Sequence, residues 1–194
     1  MTTGGLRPAF FKGDSMGEIV IRSLGVRDCV PGLLQSFERY QQVTRVWRTV
    51  GGEQRIVDCP FTEHWSGEEK DELVINTLLP ALQAGGALYV AYDGETVAGF
   101  ALLEGVPAGS RGQYRILAEL YTSYPYRGRG IGRRLFLRCA GRTREMGGQY
   151  LYISAHSAVE SMAFYRAMGC VAAGEVNQRL AEKEPCDCQL ECRI

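Results

Sequence analysis

Lysine is nearly missing from this sequence: in 194 residues it occurs only at Lys12, Lys70 and Lys183. A P-loop needs Gly-x-x-x-x-Gly-Lys-Ser/Thr, and none of the three lysines sits in that pattern, so this class of nucleotide site is excluded. Net charge is missing too. Lys and Arg total 22 against 22 Asp and Glu, with a pI near 6.7, which argues against a broad polyanion-binding surface and so against nucleic acid as a partner. No apolar run reaches the ~18 residues that span a bilayer, and none near the start makes a secretory signal; the expectation is no membrane and a cytoplasmic protein. The seven cysteines, at 29, 59, 139, 170, 186, 188 and 192, form no C-x-x-C pair and read as free thiols of a reducing compartment. Cys186-x-Cys188 with Cys192 nearby invites a metal reading, but the three share a strand parity and thiols pack as small hydrophobes, so no metal is expected. Internal repeats and low-complexity tracts are also absent.

What is present centres on Tyr114 to Met146. Tyr114 to Thr122 is rich in aromatic and aliphatic residues, as in a buried strand. Ile131, Leu135, Cys139 and Met146 then recur at helical spacing up to Gly147-Gly148. Between strand and helix lies Arg127-Gly128-Arg129-Gly130-Ile131-Gly132. The first amides of a helix have no partner inside it and lie at the positive end of its dipole, so this junction suits an anion. Glycine permits close approach and positive φ, and Arg127, Arg129, Arg133 and Arg134 add charge. The residues alone fit equally a glycine-rich turn before a solvated, arginine-rich helix. A dinucleotide fingerprint fails in both frames, because the sixth position is Arg133 counted from Gly128 and Leu135 counted from Gly130.

With Arg127, Gly130 and Gly132 the sequence resembles the GCN5-related N-acetyltransferase (GNAT) family, whose signature is Q/R-x-x-G-x-G/A between a strand and a helix. The second half of the family pattern follows as a strand QYLYISA from Gln149 and a helix SAVESMAFYRAMG carrying Tyr165, Arg166 and Gly169. The resemblance implies a core that binds acetyl-coenzyme A. The amides of Gly128, Arg129, Gly130, Ile131, Gly132 and Arg133, with Arg127, would cradle the pyrophosphate, and Leu120-Tyr121-Thr122 would pair with the pantetheine arm. It also implies that the two strands flanking the crossover splay apart and that Tyr165 lies beside the sulfur. One departure is Ala158, where many members carry asparagine; Ser157 or Ser161 are the candidates to replace that amide.

The rest of the chain supplies the frame. Residues 1–16 lack periodicity and read as a mobile extension before a strand at Glu18 to Ser23. Asp28 and Pro31 suit the start of a helix carrying Leu33, Leu34, Phe37 and Tyr40 on one face. TRVWRTV and QRIVDC around Gly51-Gly52 suggest a modest hairpin, and Ser66 with Glu69 a capping box opening a helix that Pro80 kinks or ends. ALYVAY and TVAGFALL around Asp93-Gly94 are the clearest hairpin, and Cys170 to Val176 and Cys188 to Arg193 the last two strands. The expected fold is mixed α/β, a mainly antiparallel central sheet flanked by helices, of the acyl-CoA N-acyltransferase kind. It makes one domain over 17–194, with a variable acceptor-side segment at about 41–66 and a cofactor core at about 87–194.

The chemistry asks for a base, since a primary ammonium near pKa ~10.4 must lose a proton before attacking a thioester, at ~4 to 5 kcal/mol near neutrality. Glu119, three residues before Thr122, is the carboxylate nearest the expected thioester, either as base or water-holder or as an arginine's ion-pair partner, although family members whose base sits on this strand usually carry the glutamate on the other parity; Glu104 is a weaker candidate. Tyr165 is the candidate acid toward the departing thiolate, against a core-packing role. His156 reads as a titratable loop histidine or as plain surface. Trp47, Glu63 and Trp65, with Asp58, Phe61 and His64 around them, suit an amine with an apolar body, or simply cover the core. The expected activity is acetyl transfer from acetyl-CoA to a primary amine of a small molecule or peptide by direct attack in a ternary complex. The alternative is a non-catalytic acyl-CoA-binding module, with a thiol or metal module far below, and a homodimer is left open.

Overall fold

The computed structural model describes residues 17–194, so the extension read at 1–16 lies outside the described residues. Strand β1 (Val20–Leu24) begins two residues later than expected. The helix expected after Pro31 does not form. Its residues make separate turns closed by i→i−3 bonds, Leu33 to Val30, Gln35 to Gly32 and Phe37 to Leu34. Gly32, at φ 89°, interrupts any right-handed run, and its amide donates to Asp71 Oδ1 at 2.7 Å. The buried Lys70 ammonium takes the Gln35 and Phe37 carbonyls at 3.0 and 3.2 Å, so long-range partners replace the helical ones. Leu34 and Phe37 still reach the core, whereas Tyr40 opens the next strand.

The hairpin is longer than expected: β2 (Tyr40–Val50) and β3 (Glu53–His64) form a two-stranded sheet of their own. Gly51 at φ 60° and Gly52 at φ 85° supply the paired positive φ of a tight primed turn. Helix α1 (Gly67–Leu73) opens on the expected capping box, with Glu69 N donating to Ser66 Oγ at 3.2 Å and Ser66 N to Glu69 Oε2 at 2.7 Å. It then widens into a π turn (Val74–Leu78) before α2 (Leu79–Gln83). The α-helical partner of the Asn76 carbonyl would be the amide that Pro80 lacks, so the ladder changes period there.

The remaining elements are β4 (Ala87–Asp93), β5 (Thr96–Leu103), β6 (Tyr114–Thr122), α3 (Ile131–Glu145), β7 (Tyr150–Ala155), α4 (Val159–Ala167), β8 (Val171–Ala172), α5 (Gln178–Lys183) and β9 (Cys188–Arg193). The strand expected over Cys170 to Val176 shrinks to the two residues of β8. The loop expected beyond it contains α5, capped by Asn177 Oδ1 accepting from Leu180 N at 3.3 Å.

The main sheet runs β1-β4-β5-β6-β7-β9-β8 and is antiparallel throughout except at β6 and β7. It is the expected mixed, mainly antiparallel sheet flanked by helices. On one face α3 and α4 bury Ile131, Leu135, Phe136 and Met162 against Leu117, Leu151 and Ile153. The other face carries α1, the π turn and α2, where Val74 and Leu78 pack on Leu88, Val90, Phe100 and Leu102. Among the described residues no helix is long and apolar enough to cross a membrane.

Candidate active site

The crossover strands part company early. β6 pairs with β7 only over Tyr114–Ile116 against Tyr150–Tyr152. Beyond that β6 stays on β5 as far as Thr122 opposite Gly99, while β7 follows β9 as far as Ala155 opposite Cys188. From Leu117 to Thr122, one edge of β6 therefore faces a gap with its backbone groups unpaired, as the resemblance implied. A bulge at Ala118 accompanies the parting, since Leu103 opposes Leu117 but Leu102 opposes Glu119. The extra residue resets the alternation. Leu117 and Leu120 both pack toward α3, while Ala118 and Tyr121 pack toward α1 and α2, the side that Glu119 shares by parity with Tyr121.

At the far end of β6 the chain makes a one-turn 3-10 segment (Tyr124–Tyr126) and enters α3 through glycines. Gly128 and Gly130 hold φ of 76° and 74°, where a side chain would be strained although open space surrounds both. The first helical bond is Arg134 N to the Gly130 carbonyl at 3.0 Å, so the amides of Ile131, Gly132 and Arg133 precede the ladder. Gly132 is needed for proximity: a Cβ there would lie 3.3 Å from Thr122 Oγ1 and 3.4 Å from the Phe164 ring. Arg127 lies over the Tyr124 ring and Arg129 over the Tyr126 ring, at 5.6 and 4.9 Å; Arg133 is exposed, and Arg134 bonds the Ile19 carbonyl at 3.0 Å.

On the α2 side of the gap lies a cavity of about 340 Å³ lined in part by Glu119, Glu104, Ser154, Leu102 and Lys183. Burial pushes the Glu119 carboxyl up to about 7, against the opposing pull of the Tyr121 hydroxyl and of Lys183 and Arg39. Tyr121 is itself raised well above the ordinary phenol by burial and then by the Glu119 charge. Tyr165 is raised too, by burial first, then by Cys170 and Glu119, and its hydroxyl has no hydrogen-bond partner among the described residues. Glu104 is committed elsewhere, accepting from Arg179 Nη2 at 2.9 and 3.0 Å.

The β2–β3 hairpin is latched to the start of α4. Val46 bridges to Ala158, Trp47 N donates to the Ser157 carbonyl at 2.8 Å, and Arg48 donates to Ser157 Oγ at 2.5 Å. The Trp47 ring carries the Arg166 guanidinium at 4.3 Å, on the α4 side. Glu63 and Trp65 lie on the other flank. Arg39, only 7% exposed, pairs with Glu63 and lies over both the Trp65 and Tyr121 rings, and Trp65 meets Tyr121 edge-on at 4.9 Å. Glu63 and Trp65 thus reach the neighbourhood of Glu119 through Arg39 and Tyr121, whereas Asp58 and His64 are exposed. At the Ala158 departure it is His156 Nδ1 that accepts the Ala158 amide, at 3.1 Å, with Nε2 3.6 Å from Glu63.

Sequence reasoning missed Arg39 and Asp187. Asp187 accepts from Ser154 Oγ at 3.1 Å, Ser154 accepts from Gln189 Nε2 at 2.9 Å, and burial raises the Asp187 carboxyl. Neither residue belongs to a local motif. The signal for Arg39 lies in the hairpin register, Tyr40 opposite His64, which brings residue 39 beside Trp65.

Solved structures with this fold include a nourseothricin acetyltransferase, 18% identical, covering 90% of this chain and 98% of its own at a TM-score of 0.64. A Bacillus anthracis str. Ames protein assigned as a streptothricin acetyltransferase, solved with acetyl coenzyme A, is 17% identical over 91% and 99% of the two chains at 0.65. The PaiA N-acetyltransferase of Thermoplasma acidophilum, solved with coenzyme A, is 16% identical over 91% and 99% at 0.54. At these identities the likeness is one of fold. No curated protein matches the chain by sequence. The model of the acetyltransferase (GNAT) family matches residues 54–170, from the second strand of the hairpin to the end of α4 and just beyond, and on that match the chain belongs to the acetyltransferase (GNAT) family.

Proposed function

We propose that the protein is an acetyl-coenzyme A-dependent N-acetyltransferase that acts on a primary amine of a small molecule or peptide by direct attack in a ternary complex. The observation that carries the reading is the open edge of β6, with a carboxyl raised to about 7 on its cavity side and outward helix amides at its end.

The residues present fit the cofactor. The unpaired groups of Leu120, Tyr121 and Thr122 suit an extended amide-bearing arm that adds as a strand. The amides from Gly128 to Arg133, with Arg127 and Arg129 held on tyrosine rings, suit a pyrophosphate. When bound, acetyl-CoA supplies a thioester whose carbon takes the amine nitrogen and whose sulfur leaves as the thiol.

Glu119 takes the proton the ammonium must lose. With its carboxyl near 7 it is about half ionised at neutrality and a stronger base than an ordinary carboxylate, so proton transfer from an amine is less uphill. Tyr165, kept protonated by burial, donates its hydroxyl hydrogen toward the departing sulfur. Glu63 and Trp65 shape the acceptor side by fixing Arg39 and Tyr121 against Glu119, and Trp47 holds the hairpin on α4. All seven cysteines are free, which supports the cytoplasm as the place of action. Calorimetry with acetyl-CoA and thiol release across an amine library test the proposal. Failure to bind acetyl-CoA overturns it, and binding without thiol release from any amine leaves the non-catalytic acyl-CoA module.

A further inference from the structure

The cavity beside Glu119 holds two kinds of polar group. Glu104 and Arg179 satisfy each other across its rim. Asn76, Thr77 and Lys183 also line it, and among the described residues their side chains make no hydrogen bond or ion pair. Asn76 and Thr77 line it from the π turn, Val74–Leu78. With Glu104 and Arg179 cancelling, the charges left to meet a ligand are the Glu119 carboxylate and the Lys183 ammonium. Leu102, Ala118 and Val106 add apolar lining.

From this arrangement we infer that the acceptor is a small amino carboxylate, an amino acid or a molecule of that kind, with its amine at Glu119 and its carboxylate at Lys183, Asn76 and Thr77. The inference rests on the N-acetyltransferase reading and names its substrate class. A volume of about 340 Å³ holds a molecule of amino-acid to dipeptide size, not a folded partner. Opposite charges on the walls match a zwitterion: a polycationic acceptor would meet Lys183 with like charge, and a plain amine would forgo the charge-assisted hydrogen bond that Lys183 offers a carboxylate. A carboxylate can accept from the lysine ammonium, the asparagine amide and the threonine hydroxyl. The reaction balances as acetyl-CoA plus the ammonium form giving the N-acetyl amino carboxylate, free thiol and one proton, which leaves through Glu119.

The test is thiol release with acetyl-CoA across matched pairs, each an L-amino acid and the amine left by removing its carboxylate, such as tyrosine with tyramine and arginine with agmatine. The same pairs are titrated by calorimetry into protein saturated with coenzyme A. The amino acids of at least one side-chain class are expected to exceed their decarboxylated partners at least tenfold in both kcat/KM and affinity. Lys183→Met should raise KM for the amino acid about tenfold with kcat nearly kept, erasing the difference within each pair, and Lys183→Arg should restore most of it. Decarboxylated amines that bind and react as well as or better than the amino acids overturn the acceptor class and leave the acetyltransferase standing. So does thiol release from neither set in a protein that binds acetyl-CoA, as far as this acceptor class goes. A protein that acetyl-CoA neither stabilises nor binds overturns the underlying reading as well.

Discussion

Replacing Glu119 with glutamine keeps the shape of the side chain and removes both its charge and its capacity as a base, so rate and stability should move in opposite directions. A positioned general base contributes roughly 10²- to 10⁴-fold, and Glu119→Gln should lose turnover in that range while acetyl-CoA affinity is nearly kept. Stability is set by the same burial. The folded carboxyl lies near 7 against an ordinary 4.5, so the native state favours its protonated form. That contribution is complete below about pH 4.5 and is lost as pH rises to about 7. By linkage the wild type is penalised by about 1 kcal/mol at pH 5 and by about 3 kcal/mol at pH 8, order-of-magnitude figures that Gln escapes because it does not ionise. Urea unfolding from pH 5 to pH 8 should therefore show Glu119→Gln increasingly more stable than wild type. Wild-type turnover at saturating acceptor should rise through about pH 7, and the residual rate of the variant should lack that limb. A variant that is less stable than wild type at pH 8 would refute the burial argument, and one that keeps turnover within a few-fold would refute the assignment of the base.

Tyr165→Phe should keep packing and cofactor affinity and lose ten- to several-hundred-fold in turnover, since solvent partly replaces the phenol; full activity in steady-state assays would falsify its role as acid. Gly130→Val should weaken acetyl-CoA binding and also lower stability by about 1 to 2 kcal/mol, because φ is 74° there; an unchanged melting temperature would contradict that backbone geometry. Acetyl-CoA binding should weaken as salt is raised, and analogues without the pyrophosphate should bind much less well. Calorimetric affinities indifferent to both would remove the anion from the α3 N-terminus.

Ser66 and Glu69, the Gly51-Gly52 turn and the junction from Arg127 to Arg133 could all be read from sequence for one reason: each closes its hydrogen bonds, or leaves them open for a ligand, within a few consecutive residues. The signature residues and the helix after them therefore carried the family with no knowledge of the fold. Where distant partners compete, the sequence was a poor guide. Leu33, Leu34, Phe37 and Tyr40 have helical spacing, yet Lys70 and Asp71, more than thirty residues on, take the polar groups a helix would have used. The side of the sheet on which Glu119 lies depends on a one-residue bulge at Ala118, and a bulge exists only relative to the strand beside it. The gap between β6 and β7 arises because β7 stays with β9 while β6 stays with β5, a competition among four strands that no segment records alone. Arg39 reaches Glu63, Trp65 and Tyr121 through the hairpin register, and Lys183 reaches the cavity on a helix hidden in what reads as loop. Sequence alone was enough for the glycine-rich junction because its amides are neighbours in the chain; the surroundings of Glu119 needed the tertiary structure because its groups become neighbours only when the sheet assembles.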